Sequence, residues 1–149
     1  MRYNYAVKQI TENSAKAVGR NLSISTRMSV EICNYLRGKK VSQAKNILEQ
    51  VIQKKHAVPI RRFGDSTAHK PGIGAGKYPI KAAKGILAVI QNAESNAQNK
   101  GLSTHHLVIS HILAHKASAP WHYGRHTRRK MKRSHIEIVV SEEKEKEKK

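Results

Sequence analysis

The chain has 149 residues, of which 29 are Lys or Arg and 10 are Asp or Glu, so its formal net charge is +19. Such an excess repels itself unless an anionic partner neutralises it. The length predicts a single domain, 1–149, and an aromatic content of 5% argues against a large apolar enzyme cleft. No apolar run approaches the roughly 20 residues of a bilayer span, so we expect no membrane partner.

The start of the chain and its one cysteine bear on location. Residues 1–5 lack the apolar core of a signal peptide. Cys33 excludes an internal disulfide, and its place between Ile32 and Asn34 in a helical pattern indicates a small buried hydrophobe. We therefore expect the protein in the reducing cytoplasm.

In chain order, residues 15–24 give a weak strand signal, because apolar and polar residues alternate imperfectly there. Apolar residues then recur at helical spacing over residues 26–37. Ser25 is the expected N-cap, its side chain accepting a backbone N–H bond, and Gly38 ends the helix. A second apolar stripe, over residues 44–52, predicts another helix.

From residue 55 to residue 78 the periodicity disappears, and repeated proline and glycine predict one long loop. Within it, Arg61 and Arg62 beside Phe63 suit an RNA surface and plain solvent equally well. The glycine-rich run 72–77 lacks the spacing of the known nucleotide-binding loops. We therefore predict no cofactor.

A third helix is predicted to open at Pro79, which a first turn tolerates, and to run to Gly101. β-Branched residues at 107–113 and 136–140 predict two strands. The expected fold class is α+β, with three helices packed on a small three-stranded antiparallel sheet and a long extended β-hairpin. The predicted units are a globular part (15–113 and 134–141), a basic hairpin arm (114–133) and a disordered charged tail (142–149).

The arm carries the strongest functional signal. Residues 95–136 contain no Asp or Glu, while Lys and Arg crowd into the second half of that interval. With its tip near Arg125, an extended arm would reach roughly 30 Å beyond the domain at about 3.3 Å per residue. A bare two-stranded hairpin is marginal in water, so we expect the arm to become ordered when a partner holds it.

Trp121 and Tyr123 lie inside this unpaired cationic segment, far from the apolar stripes, which favours stacking on bases over core packing. Arginine forks bind phosphate bidentately and also stack. The predicted RNA-binding residues are Arg20, Arg27, Arg37, Lys39, Lys40, Arg61, Arg62, Lys77, Lys116, Trp121, His122, Tyr123, Arg125, His126, Arg128, Arg129, Lys130, Lys132 and Arg133.

Nine histidines raise the question of metal chemistry, above all His111 with His115 and His122 with His126, each pair four residues apart. A zinc hydrolase needs further ligands and a general base, and no carboxylate lies in that stretch of sequence. A histidine-metal-dependent hydrolase therefore remains a minor alternative, and we predict no metal site.

A helix-turn-helix DNA-binding protein is the other alternative, since a short glycine-containing link joins the first two helices. Gln43, Asn46 and Gln50 would then face base edges. Against this hypothesis, the basic residues concentrate in the arm rather than on the second helix.

Several stretches, spread over residues 15–142, together carry a family resemblance. They are Ile24-Ser25-Thr26-Arg27, Arg37-Gly38-Lys39, Asn92-Ala93-Glu94-Ser95-Asn96-Ala97, Gly101-Leu102, Tyr123-Gly124-Arg125 and Ser134-His135-Ile136-Glu137-Ile138-Val139. The chain resembles the large-subunit ribosomal protein family called L twenty-two in bacterial nomenclature and L seventeen in the older eukaryotic one. Residues 58–63 and 75–79 resemble its archaeal and eukaryotic branch.

The resemblance implies a structural constituent of the large ribosomal subunit, located on the cytoplasmic ribosome, that catalyses nothing. It implies a small α+β domain near the exit of the nascent-chain tunnel, with the hairpin threading through ribosomal RNA into the tunnel wall. The partners it implies are large-subunit ribosomal RNA, neighbouring large-subunit proteins and the nascent polypeptide. Members of the family also help the subunit to assemble.

Overall fold

The computed structural model describes residues 3–7 and 13–143. In these residues the chain forms three α-helices and six strands, arranged in two small sheets. The helices are α1 (Thr26–Leu36), α2 (Val41–Ile52) and α3 (Ile80–Asn99). The strands are β1 (Ser14–Leu22), β2 (Val58–Pro59), β3 (His69–Lys70), β4 (Gly74–Lys77), β5 (Leu107–Lys116) and β6 (Ser134–Glu142).

The main sheet is antiparallel with the order β1-β6-β5, so the last strand lies in the centre. Ile138 of β6 pairs with Ala17 of β1 on one side and with Ile112 of β5 on the other. The predicted α+β class with a three-stranded antiparallel sheet is confirmed.

A bulge in β5 decides which of its side chains face the helices. The pairing with β6 shifts between Ile109 and His111, which places an extra residue in that strand. Ile109 and Ile112 are consequently both fully buried in the core although they are three residues apart. His111 and His115 fall on the opposite, outer face of the sheet.

The core lies between the main sheet and the helices α1 and α3, while α2 packs against α3. Ile32 and Leu36 of α1, Ile86 and Ile90 of α3, and Ile138 of β6 are all fully buried. Their 3.6-residue and two-residue periods match the faces that these elements turn inward. The three predicted helices are therefore present, each with the apolar stripe on which its prediction rested.

The helix ends differ from the prediction in two details. Ser25 occupies the N-cap position of α1, but its side chain makes no capping bond, so that prediction was wrong. Its carbonyl instead accepts hydrogen bonds from the N–H and the hydroxyl of Ser29, each at 2.9 Å. Pro79 precedes α3 as its N-cap and does not form its first turn. Gly38, with φ of +75°, ends α1 and donates its N–H to the carbonyl of Ile109.

The segment 55–78, predicted as a long loop, instead folds into a second antiparallel sheet with the order β2-β4-β3. Val58 of β2 pairs with Lys77 of β4, and His69 of β3 pairs with Ala75. These strands have two to four residues and are held by backbone bonds. Strands this short leave no side-chain period in the sequence, which is why the pattern predicted a loop.

The far end of β6 overlaps the predicted charged tail. Glu142 is the last residue of the strand, and its N–H donates to the carbonyl of Asn13 at 3.1 Å. The tail therefore begins later than residue 142. Residues 144–149, to which most of that prediction applies, lie outside the described residues.

Gly19 allows β1 to lie directly against α3. A Cβ atom at this position would lie 2.6 Å from Cγ2 of Val89 and 2.8 Å from Cδ1 of Leu22. Both distances are shorter than any normal carbon contact, so a larger residue would have to displace a packed side chain.

We expect Gly19→Ala to lower the free energy of unfolding by about 1–3 kcal/mol, the usual cost of overpacking a core. Urea denaturation of the purified protein measures this. Gly64→Ala is the matched control, because its added Cβ would meet only the carbonyl of Ile60, at 3.6 Å. Equal effects of the two substitutions would show that β1 and α3 are not tightly packed at Gly19.

Candidate nucleic-acid interface

The arm folds as a hairpin held by sparse backbone bonds. The N–H of Ala117 donates to Arg133, that of Met131 to Pro120 at 2.8 Å, and that of His122 to Arg129 at 2.8 Å. A single 3-10 turn, Gly124–His126, forms the tip. Pro120 has no N–H to donate, which leaves a gap in the ladder.

Seven cations project from this hairpin. They are Lys116, Arg125, Arg128, Arg129, Lys130, Lys132 and Arg133. All are exposed except Arg133, which is half-buried. Within the described part of the chain no carboxylate forms an ion pair with any of them. The arm therefore presents a positive field that its own protein leaves unneutralised.

The aromatic residues of the arm are similarly open. Tyr123 is 85% exposed and Trp121 is 59% exposed. The ammonium of Lys130 lies 4.5 Å from the centre of the Trp121 ring, a cation–π distance. Neither ring belongs to the core, so both retain a face for stacking.

The root of the arm is anchored to the body by two hydroxyl groups. Ser134, fully buried at the start of β6, donates its hydroxyl to the carbonyl of Ile24 at 3.2 Å. Its oxygen also lies 2.7 Å from the hydroxyl of Thr26. These bonds tie the base of the arm to the start of α1.

On the body, the ring of Phe63 makes cation–π contacts with two of the predicted arginines. The guanidinium carbons of Arg27 and Arg62 lie 5.7 and 5.6 Å from the centre of its ring. Arg27 comes from α1 and Arg62 from the segment that follows β2, so the ring joins cations that are distant in sequence. Both arginines are exposed.

Glu31 fixes the backbone of the same segment, residues 61–63, by accepting its hydrogen bonds. This carboxylate is 2% exposed, and it accepts the consecutive backbone N–H groups of Arg61, Arg62 and Phe63 at 3.2, 2.8 and 2.8 Å. Three amides converging on one carboxylate make an anion-binding turn that is filled by the protein's own side chain. The arginine side chains are thereby left free to face solvent. Sequence reasoning missed Glu31, because nothing local marks it as more than a polar residue of a helix.

A third group of cations lies where α1 meets β5. Arg37 donates from Nη2 to the carbonyl of Ile112 at 3.3 Å. The ammonium of Lys39 lies 5.1 Å from the ring centre of Tyr35, and Lys40 forms a backbone bridge with Val108. A hollow of about 270 Å³ lined by both Lys39 and Arg61 connects this group with the segment that Glu31 holds.

The remaining predicted cations are separate from these groups. Arg20 is exposed on β1, and Lys77 is half-buried on β4 of the small sheet. None of the nineteen predicted RNA-binding residues is buried. Their side chains are therefore accessible to a partner, and contact with RNA stays a prediction.

The outer face of the main sheet holds a cluster that sequence reasoning overlooked. Glu137 is fully buried, and its Oε1 lies 3.1 Å from Nε2 of His111 and 3.5 Å from Nε2 of His115. The N–H of Ala6 and the hydroxyl of Tyr3 also donate to this carboxylate, each at 3.3 Å. The pairing register across β5 and β6 brings these residues together, although Glu137 follows the histidine-rich stretch in the sequence.

Two other sequence hypotheses concern reactive groups. Among the described residues, no three or more His, Cys, Asp or Glu side chains are grouped in a way that could hold a metal ion. Cys33 is 1% exposed, and burial raises the pKa of its thiol to about 12. It is the buried hydrophobe that its position predicted.

Over the described ranges, no helix has the length and apolar character needed to cross a membrane.

The sequence is similar to one known family and to several curated proteins. A family model described as "Ribosomal protein L22p/L17e" matches residues 17–141. The chain belongs to this family. Relatives named large ribosomal subunit protein uL22 include that of Thermoplasma acidophilum, which is 43% identical over 90% of this chain and 92% of its own. The relative from Archaeoglobus fulgidus is 42% identical over 93% of this chain and 96% of its own. The relative from Hyperthermus butylicus is 40% identical over 95% of this chain and 97% of its own.

Membership of the L22p/L17e family confirms the resemblance that the sequence motifs predicted, including its archaeal branch. The family is structural and non-enzymatic, in agreement with the prediction that the chain is not an enzyme. It also agrees with the predicted ribosomal, cytoplasmic location.

Replacing Glu31 tests the role of its carboxylate in holding the segment that carries Arg61 and Arg62. Glu31→Gln removes the charge that three amides share, so we expect a loss of about 1.5–3 kcal/mol in the free energy of unfolding. Urea denaturation measures the loss. The control is Glu49→Gln, an exposed carboxylate on α2. A loss no larger than that of the control would refute the structural role of Glu31.

The cluster at Glu137 predicts an acid-sensitive stability. Burial, the largest influence, raises the pKa of Glu137, but bonds from His111, the Ala6 N–H and His115 together lower it below its ordinary 4.5. The stabilisation is therefore complete above about pH 4.5 and is lost as the pH falls through the lowered folded-state value.

We expect Glu137→Gln to be less stable than wild type near neutral pH, by about 1.5–3 kcal/mol. The difference should shrink on acidification below about pH 4.5. Urea denaturation at a series of pH values measures both effects. A difference that is constant with pH would contradict the role of the ionised carboxylate, and Glu49→Gln again serves as the control.

Proposed function

We propose that this protein is a structural constituent of the large ribosomal subunit that binds large-subunit ribosomal RNA through its arm and its body cations. The observation that carries the proposal is the arm, whose seven cations are unpaired within the described residues. The names of the relatives indicate that the particle is the large ribosomal subunit. Binding would also aid subunit assembly, because one chain would hold RNA segments that meet at the arm.

The mechanism of binding is phosphate neutralisation. Each Lys or Arg placed at a phosphate displaces a condensed counterion, so affinity for about ten contacts falls steeply with salt. Folded RNA is read mainly through its shape, its backbone and its unstacked bases. Trp121 and Tyr123 would add stacking on such bases. His122 and His126 lie beside them and would hydrogen-bond near the phosphates.

The arm also suits a place in the wall of the nascent-chain tunnel. A narrow two-stranded hairpin can pass between RNA segments, and the globular body would stay outside with neighbouring large-subunit proteins. Part of the arm would then face RNA and part would face the nascent polypeptide. A photoreactive residue at Tyr123 in translating ribosomes should cross-link to RNA, to the nascent chain or to both.

The alternative functions receive less support from the geometry. In the helix-turn-helix hypothesis α2 would read DNA, but its one lysine, Lys45, is paired with Glu94 from α3. In the hydrolase hypothesis His111 and His115 would bind a metal, but both lie within 3.5 Å of Glu137, which backbone and tyrosine donors also occupy.

The arginines near the arm tip provide the direct test of RNA binding. We expect the triple variant Arg125→Ala, Arg128→Ala, Arg129→Ala to lower incorporation into large subunits at least about tenfold. The slope of log affinity against log salt should fall by about three, one for each phosphate that the variant leaves unneutralised. Co-sedimentation with large subunits at several salt concentrations measures both quantities.

The control for this variant replaces three exposed lysines of the body, Lys54, Lys55 and Lys84, with alanine. It removes the same charge away from the arm, so its effect on incorporation should be much smaller. Circular dichroism should show both variants folded. Equal losses of incorporation in the two variants would mean that net charge rather than the arm determines binding. A separate binding comparison tests the helix-turn-helix hypothesis, which would be favoured if the wild-type protein preferred a DNA duplex to ribosomal RNA.

A further inference from the structure

A cleft of about 650 Å³ lies between the arm and the body. Its body wall includes Met28 of α1 and Pro79 and Ile80 at the start of α3. Its arm wall includes His122 and Met131. The bonds of Ser134 to Ile24 and Thr26 hold the arm beside the start of α1, and the core residues Ile24 and Ala82 line the floor between the two walls.

The lining of the cleft combines apolar walls with a positive rim. Lys81 stands on the body side, and Lys130, Lys132 and Arg133 stand on the arm side. No Asp or Glu lines it. Among the described residues no carboxylate forms an ion pair with these four cations. Nη2 of Arg133 lies 4.0 Å from the sulfur of Met131, so charge and apolar surface are in direct contact.

These features together select the chemistry of the occupant. Four unpaired cations require an anion, which disfavours an uncharged apolar segment of another protein. Apolar walls add nothing to the binding of a bare phosphate. A nucleotide satisfies both, because its base offers flat apolar faces and its phosphate carries the charge. Methionine sulfur and imidazole both make favourable contacts with aromatic rings.

The size of the cleft limits the occupant to a single unstacked nucleotide or a close equivalent. Its volume lies within the range of about 300–1,000 Å³ typical of small-molecule sites. Bases within an RNA helix are stacked on their neighbours and offer only their edges. A base can enter between two walls only after it leaves the stack, as bases in loops and bulges do.

We propose that this cleft binds one unpaired nucleotide of the large-subunit ribosomal RNA, with the base between the two walls and the phosphate at the rim. The proposal rests on the proposed function and adds a defined site to it. Because one wall belongs to the body and the other to the arm, the bound nucleotide would also set the angle at which the arm leaves the body.

The rim is tested by two lysines on one helix. Lys81 lines the cleft, whereas Lys84, one turn further along α3, is exposed outside it. With full-length large-subunit ribosomal RNA as the probe at one fixed salt concentration, we expect Lys81→Gln to weaken binding about fivefold. Lys84→Gln should weaken it less than about twofold, since its loss removes charge without touching the site.

The apolar wall is tested by placing a carboxylate in it. Met131→Asp should weaken binding at least about tenfold, which corresponds to the loss of one stacked base and repulsion of its phosphate. Ile73→Asp makes the same charge change on the exposed turn between β3 and β4, outside the cleft, and should have a much smaller effect. If Met131→Asp fails to fold by circular dichroism, Met131→Gln and the two lysine variants still decide the question.

A photoreactive benzophenone amino acid at position 131 identifies the occupant directly. After reconstitution into large subunits it should cross-link to a single unpaired nucleotide, and the same probe at position 73 should not reach that nucleotide. Cross-links to protein alone would overturn the proposal.

Equal effects of the cleft variants and their controls, in a protein that still binds the RNA with strong salt dependence, would also overturn it and would leave the proposed function standing. Absence of salt-sensitive RNA binding by the wild-type protein would instead refute the proposed function itself.

Discussion

The pairing of β6 with both β1 and β5 is the interaction on which the rest of the structure depends. This strand comes from the end of the chain, yet it lies at the centre of the main sheet. Its inward residues Ile136, Ile138 and Val140 close the core, and its outward Glu137 binds the histidines of β5. Since β5 and β6 are also the two ends of the arm, the same pairing fixes where the arm leaves the body.

The distribution of carboxylates explains how so basic a chain folds and still has cations to offer. Among the acids that the structure describes, four have structural partners inside the body: Glu31 binds backbone amides, Glu94 binds Lys45, Glu137 binds histidines and Glu142 accepts the N–H of Ser103. Each bond stabilises a junction between elements. Among the described residues, none of these four acids pairs with a lysine or arginine of the arm, so the arm remains strongly positive and suited to a polyanion.

Sequence patterns predicted the elements that repeat a hydrophobic period over many residues. The helices at α1, α2 and α3, the strands β5 and β6 and the burial of Cys33 all follow from such local periods. The same reasoning failed for residues 55–78, since strands of two to four residues are held by backbone bonds that leave no periodic mark. It also failed for Ser25, whose side chain makes no capping bond.

Some features of the candidate interface were likewise predictable from the sequence, and others were not. The positive charge of the arm and the positions of its aromatic residues can be read directly from the sequence. The sequence alone was therefore enough to predict a basic hairpin that favours an anionic partner. Only the tertiary structure decided that Glu31 holds the segment carrying Arg61 and Arg62, and that Met28 and Met131 lie on opposite walls of one cleft. Such groupings join residues dozens to more than a hundred positions apart, and their proximity depends on strand register and helix packing, which no local pattern encodes.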